Sequence, residues 1–259
     1  MSLVETKIDD GIALVTLNNP PLNVMTVATA RSLDTLLDEL AVDSQVRVVV
    51  LTGAGDRAFC AGSDIKEFAA FTGPEGRALE RKMIAETAMT AKLDKFPKPT
   101  VCALNGNAFG GGLELAACCD LLVAAENVRL AMPEVKLGVF PGSGGPIRVT
   151  RRIGEGRAKE MILLGEPIDA NTALAWGLVN RVVASGKAIE AAMELATKLV
   201  ELPSNALRIC KESIDLAFDY SEAEAMERSL RLTEEAFAHP EIDEGIRAFF
   251  AKEKPNFRR

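Results

Sequence analysis

Two glutamates stand close to stretches of small residues that can offer bare backbone N–H groups to a negative oxygen. Glu114 follows Gly110-Gly111-Gly112, Glu134 follows Pro133, and the second small-residue stretch is Phe59-Cys60-Ala61-Gly62-Ser63-Asp64. An apolar run at 99–104 feeds the triple glycine and helical spacing starts near Leu113, which predicts a turn at a helix N-terminus. The first N–H groups of a helix lack a partner within it, and a missing side chain lets an anionic oxygen come close. Gly111 is the candidate for one donor. The second stretch also passes from a strand-like run, 46–52, through small residues toward helical spacing, and Ser63 is the candidate for the other. Two converging donors make an oxyanion hole, where losing one typically costs about 100- to 1,000-fold in rate. Such a pattern suits an enzyme working on a thioester. Either stretch alone reads more readily as a plain turn, so the weight rests on their combination with the motifs below.

The elements that must position these residues follow from periodicity. Residues 4–8 and 12–17 alternate around Asp9-Asp10-Gly11 and predict a hairpin. Residues 30–42 carry Leu33, Leu36, Leu37 and Leu40 on one helical face, 46–52 is a buried strand, and 68–95 reads as a loop. Further strands are predicted at 99–104, 121–124 and 129–132, with a helix within 106–119. Beyond Pro141 the pattern turns helical, at 143–153, 156–164, 170–176, 188–202, 204–218, 221–238 and 241–252, with one strand-like piece at 178–183. The class is α/β, divided softly near residue 200 into a main body, 1–200, and a helical region, 201–259. The stripe Leu207, Cys210, Ile214 and Phe218 must pack on the core or on another subunit.

Composition narrows the chemistry. The 259 residues suffice for one large core, and a net charge of -7 argues against a nucleic-acid surface. No apolar run is long enough to span a bilayer, and the first residues lack the marks of a signal peptide, so a soluble cytoplasmic protein is expected. Five cysteines without a Cys-x-x-Cys pair indicate neither disulfides nor a metal site, and Cys118 and Cys119 read as small buried hydrophobes. The one histidine, His239, precedes Pro240 at a helix end, far from the glycine stretches, which discounts a Ser-His-Asp triad.

The chain resembles the crotonase superfamily, the enoyl-CoA hydratase and isomerase family, over nearly its whole length. The residues that carry the resemblance are Pro21-Leu22-Asn23-Val24-Met25, Phe59 through Glu67, Asn105-Gly106 through Asp120, Met132-Pro133-Glu134, Gly138 through Gly145, Ala175-Trp176-Gly177-Leu178-Val179 and the segment from Glu244 to Phe257. The resemblance implies a spiral of β-β-α units with a C-terminal helical region, homotrimers that often pair into hexamers, and an acyl-CoA substrate. Coenzyme A is part of that substrate, and no separate cofactor is implied. By carry-over from hydratases, Glu114 orients and deprotonates a water and Glu134 gives a proton to Cα, with apolar neighbours raising a carboxyl pKa. Ala61, Asp64, Ile65 and Lys66 correspond to the family's coenzyme contacts, although Asp64 also fits a plain helix N-cap. Lys66, Arg77, Arg81 and Lys82 are candidate cations for the coenzyme phosphates, each equally readable as part of a solvated helix face with Glu75, Glu80 and Glu86.

Three departures stand out. Ser63 replaces a common alanine, Pro146-Ile147 follows Gly144-Gly145 where many hydratases have Thr-Gln, and Pro20-Pro21 occupies a place where some relatives carry a lysine. Both glutamates together favour an enoyl-CoA hydratase over a Δ3,Δ2-enoyl-CoA isomerase or another acyl-CoA lyase of the superfamily. An RNA-binding relative is a remote alternative that the acidic balance opposes.

Overall fold

The computed structural model describes residues 2–258; Met1 and Arg259, the outer ends of the two regions drawn from the sequence, lie outside them. The chain opens with β1 (Val4–Asp9) and β2 (Ile12–Leu17), paired antiparallel from Val4 opposite Leu17 to Asp9 opposite Ile12. Next comes α1 (Val27–Val42), which begins before the predicted residue 30 because Thr26 caps it: its hydroxyl accepts the Thr29 N–H at 3.0 Å. Leu33, Leu37 and Leu40 form its buried stripe.

From here strands alternate between two sheets. The chain continues as β3 (Val48–Gly53), β4 (Ala58–Cys60), α2 (Ile65–Phe68), α3 (Ile84–Asp94), β5 (Thr100–Leu104), β6 (Asn107–Phe109), α4 (Gly111–Ala116), β7 (Leu121–Ala125) and β8 (Arg129–Ala131). The first sheet has the order β1-β2-β3-β5-β7 and ends in β10 (Arg181–Val183); the second runs β4-β6-β8 and ends in β9 (Ile168–Asp169). Each pair of consecutive strands, β3 and β4, β5 and β6, β7 and β8, thus gives one strand to each sheet, all parallel to their neighbours in the next unit. A chain that repeats this step winds into the expected spiral of β-β-α units. Parallel strands covered on both faces are continuous apolar runs, and β3 and β5 are buried at every residue.

The remainder is helical: α5 (Gly145–Ile153), α6 (Glu155–Leu164), α7 (Ala170–Trp176), α8 (Ala188–Val200), α9 (Ser204–Asp219), α10 (Glu222–Ala238) and α11 (Glu241–Ala251). The first sheet is covered by α8, while α9 packs mainly on α10. Ion pairs tie α9 to the body, Lys211 to Asp120 at 2.9 Å and Lys95 to Asp215 at 3.0 Å. The predicted stripe on α9 is not covered by the core: Ile214 is 65% exposed and Phe218 55%. Among the described residues no helix is long and apolar enough to cross a membrane.

Segment 68–95, a loop by its sequence, is irregular only in its first part, up to about residue 78; from there a π-helical turn at Leu79–Met83 runs straight into α3. Its inward face interleaves Lys82 and Glu86 with Met89 and Leu93, all buried, and the charges break the apolar stripe by which periodicity detects a helix. Short β4 escapes a pattern search for another reason: its three residues are all buried, so nothing alternates.

The loop joining β3 to β4 is held by two amides: Asn23 Nδ2 donates to the Ala54 and Ala58 carbonyls at 2.9 and 2.8 Å, and Asn105 makes the larger set. Asn105 donates from Nδ2 to the Gly53 and Gly55 carbonyls at 2.8 and 2.6 Å, and its Oδ1 accepts from Thr52 Oγ1 at 2.9 Å and Gly53 N at 3.2 Å. Removing it strands several buried backbone groups, each costing about 1–3 kcal/mol. Asn105→Ala is expected to lower stability by about 2–4 kcal/mol in urea unfolding, and a loss below about 0.5 kcal/mol would show that water replaces the amide.

Candidate active site

The two N–H groups singled out in the sequence meet in space. Met25 pairs with Ser63 by donating to the Gly62 carbonyl at 2.8 Å and accepting from Asp64 N at 2.9 Å. Bonds on both flanking residues leave the Ser63 N–H directed to the opposite side. Gly111 is the first residue of α4, where no carbonyl inside the helix can accept its N–H. A Cβ placed on Gly111 would lie 3.6 Å from Ser63 N and 3.9 Å from Glu114 Oε2, so the space beside Gly111 is the space both donors and one carboxyl group face. With six residues α4 has little macrodipole; the exposed N–H supplies the attraction.

Glycine is required on both sides of Gly111. Gly110 has φ 51 and ψ -126, and any Cβ there would sit 2.5 Å from Glu134 Oε1. At Gly112 a Cβ would fall 2.1 Å from the Cys60 carbonyl oxygen, so α4 rests directly on the backbone of β4. That contact sets the distance between the stretch carrying Ser63 and the turn carrying Gly111.

Glu114 is 3% exposed. Its Oε1 accepts two backbone N–H bonds, from Ser143 and Gly145, both 2.8 Å. Gly145 opens α5, with Pro146 in its first turn, where a missing N–H costs nothing. The departure at Pro146-Ile147 is therefore benign: neither residue lines the cavity described below, and Ile147 is 63% exposed. Burial pushes the Glu114 carboxyl up to about 7, helped by the nearby charges of Glu134 and Glu86 and opposed by the two N–H bonds. Glu134 opens a 3₁₀ turn, Glu134–Leu137, after Pro133. Its Oε2 is buried without a hydrogen-bond partner, and burial raises its pKa as well, only partly offset by a bond from its own backbone N–H.

Both carboxyl groups, Ser63 and Gly110 line one cavity of ≈ 110 Å³ with Ala61, Ile65, Phe68, Leu137, Phe140 and Ser143. The coenzyme candidates lie at its edge. Ile65 is 61% exposed and lines the cavity, and Lys66 is exposed beside it on α2. Asp64 caps α2, accepting the Lys66 N–H at 2.9 Å, and the Ala61 N–H is taken by the Leu22 carbonyl. Among the cations, Arg77 pairs with Glu80, and Arg81 donates to the Ala70 carbonyl and lies over the Phe71 ring. The solvated-face reading of Lys82 and Glu86 is overturned: they are 2% and 3% exposed and joined at 2.7 Å inside the same cavity. Each is tolerated there because the other neutralises it, which also removes Lys82 from the phosphate candidates. Its spacing of four residues from Glu86 was the available signal. His239 caps the end of α10, outside the cavity.

The sequence profile described as enoyl-CoA hydratase/isomerase matches residues 7–259. A probable enoyl-CoA hydratase of Bacillus subtilis is 37% identical, covering 100% of this chain and 99% of the relative. A short-chain-enoyl-CoA hydratase of Clostridium acetobutylicum is 36% identical over 94% of this chain and 92% of its own length. The crystal structure of an enoyl-CoA hydratase from Bacillus anthracis superposes with a TM-score of 0.93 at 32% identity, covering 99% of both chains.

Two outcomes test this geometry. Gly111→Ala has room for its methyl group, 3.4 Å from Ser63 Oγ, yet places it between the donors; the variant is expected to fold with unchanged melting and lose about 100-fold or more in rate, while Ser63→Ala keeps its N–H and stays near wild type. Equal losses in both would assign the chemistry to the Ser63 hydroxyl. The second concerns Glu114, which in the folded protein holds a proton that the unfolded chain releases between the ordinary value of 4.5 and about 7. Its stabilising contribution is complete below pH 4.5 and is lost as pH rises through about 7. Glu114→Gln, which keeps an acceptor for both N–H groups, should therefore exceed wild type in stability at pH 8 by up to about 3 kcal/mol, with the gap closing toward pH 4.5; parallel pH profiles in denaturant melts would contradict this.

Proposed function

The chain belongs to the enoyl-CoA hydratase/isomerase family, and we propose that within it this protein is a hydratase, adding water across the double bond of a short trans-2-enoyl-CoA to give the 3-hydroxyacyl-CoA. The observation that carries this reading is the pair of carboxyl groups flanking one glycine turn, both with raised pKa and both in the cavity that Ser63 and Gly110 line. Moving a double bond needs one group to carry one proton away and back. Hydration needs two: one to take a proton from water, another to supply a proton to carbon.

The thioester oxygen accepts the Ser63 and Gly111 N–H groups. Glu114, with Oε1 held by Ser143 and Gly145, keeps Oε2 for the water. Oxygen attacks Cβ, the water proton passes to Glu114, and the electron pair of the double bond moves to the carbonyl as an enolate held by the two donors. Protonated Glu134 then gives its proton to Cα, and the carbonyl re-forms. The active site resets when a proton moves from Glu114 back to Glu134. Charge and protons are both handled by backbone and carboxyl groups, so the step asks for no metal or redox cofactor.

The cavity size supports a short acyl group, since ≈ 110 Å³ is well under the roughly 300–1,000 Å³ of pockets for larger ligands. Ala61, Asp64, Ile65 and Lys66 would meet the coenzyme at the edge, chiefly through backbone and the Lys66 cation. The apolar surface of the C-terminal helices, with Phe249 and Phe250 each 79% exposed, supports burial against further copies, as in a homotrimer or paired trimers. Free thiols, four of the five buried, suit a reducing cytoplasm.

The direct test is loss of the conjugated thioester absorbance on a panel of trans-2-enoyl-CoA substrates. Glu114→Gln and Glu134→Gln should each slow turnover by about 100- to 10,000-fold with little change in affinity for an unreactive acyl-CoA. Because Glu114 must be ionised to take the water proton, wild-type kcat/KM should fall as pH drops below about 7. Normal hydration by Glu134→Gln would remove its assigned role.

A further inference from the structure

The acyl cavity contains an ion pair where an alkyl chain would be served better by hydrocarbon. Lys82 Nζ lies 2.7 Å from Glu86 Oε1 and 3.3 Å from Glu67 Oε2, and Ser143 Oγ donates to Glu86 Oε2 at 3.3 Å. Lys82 and Glu86 are 2% and 3% exposed, and both line the cavity beside Phe68 and Met83. Taking two ions out of water costs about as much as their attraction returns, so a hydrocarbon pair of similar volume would hold this segment in place equally well or better. Packing therefore gives no reason for the charges, whereas a substrate with a polar acyl group does.

We propose that the Lys82–Glu86 pair selects a short acyl thioester bearing a neutral hydroxyl near the far end of its chain, in preference to a plain alkyl chain. This rests on the acyl-CoA reading above. An ammonium group has three N–H donors; one goes to Glu67 Oε2, while Glu86 Oε1 lies 2.7 Å away as an ion-pair partner without an aligned hydrogen bond. A further donor is available to a substrate oxygen, and a hydroxyl can donate its own proton to the unpartnered Glu86 Oε1. A carboxylate fits poorly: the single cation is already faced by Glu86 and Glu67, and Glu114 and Glu134 share the cavity. A chain of only methyl and methylene groups would lie against the pair without satisfying either member.

Equilibrium binding of three unreactive four-carbon thioesters tests this without catalysis: butyryl-CoA, 4-hydroxybutyryl-CoA and succinyl-CoA. Wild type is expected to bind the hydroxyl compound about tenfold or more tighter than butyryl-CoA, and succinyl-CoA most weakly. In the double variant Lys82→Met with Glu86→Leu the preference should vanish as butyryl-CoA gains. Equal or tighter binding of butyryl-CoA by wild type, or tightest binding of succinyl-CoA, overturns the proposal even if the variant fails to fold. Turnover of crotonyl-CoA and 4-hydroxycrotonyl-CoA, run alongside, separates the two readings. Hydration of crotonyl-CoA without the binding preference overturns this inference and keeps the hydratase; the binding preference without hydration of either supports this inference and overturns the hydratase.

Discussion

One buried carboxyl group fixes the geometry of the site. Glu114 comes from the first turn of α4, after the β5–β6 unit, and the two N–H groups that hold its Oε1 come from the entrance to α5, 29 and 31 residues later in the chain. Their approach is close: a Cβ on Gly145 would lie 2.8 Å from Glu114 Cγ and 2.7 Å from Met132 Cε. Ser143 extends the network, since its carbonyl accepts from Thr90 Oγ1 at 2.8 Å and its hydroxyl reaches Glu86 on α3. Three segments distant in sequence are thus referred to a single side chain. It is buried, and that burial both raises its pKa and strengthens every electrostatic interaction at the neighbouring thioester position.

The spiral makes this convergence possible. Each β-β-α step brings a strand end of the second sheet and the turn after it to the same side, so Ser63 after β4, Gly111 after β6 and Glu134 after β8 arrive side by side without long loops. Backbone-to-backbone contact at Gly112 and Cys60 then sets the spacing of Ser63 and Gly111. The same layout lets the helical segment between β4 and β5, the π-helical turn Leu79–Met83 and α3, close the cavity and add Lys82 and Glu86.

What could be read from the sequence divides along physical lines. The hairpin, the helix with Leu33, Leu37 and Leu40, and the strands β3 and β5 have strong local signals, and the structure contains them within a few residues. Ser63, Gly111, Glu114 and Glu134 stand out because small residues and carboxyl groups sit at turns, where side-chain loss has a local meaning. The segment 68–95 was illegible, because Lys82 and Glu86 are buried by each other and not by their own hydrophobicity. Equally hidden were the partners of Glu114: no spacing in the chain reveals that the Ser143 and Gly145 N–H groups turn toward it. The stripe on α9 was legible as an apolar face, but a single chain leaves Ile214 and Phe218 largely open.

The central claim is that two carboxyl groups divide one reaction, Glu114 serving the water and Glu134 serving Cα. Incubating the protein with crotonyl-CoA in deuterium oxide enriched in oxygen-18, followed by mass and NMR analysis of the product, tests it most directly. The account predicts 3-hydroxybutyryl-CoA with solvent oxygen at C3 and one deuterium at C2. Deuterium exchanged into recovered unsaturated thioester, with no oxygen-18 incorporated, would contradict it and mark a catalyst that moves protons without adding water.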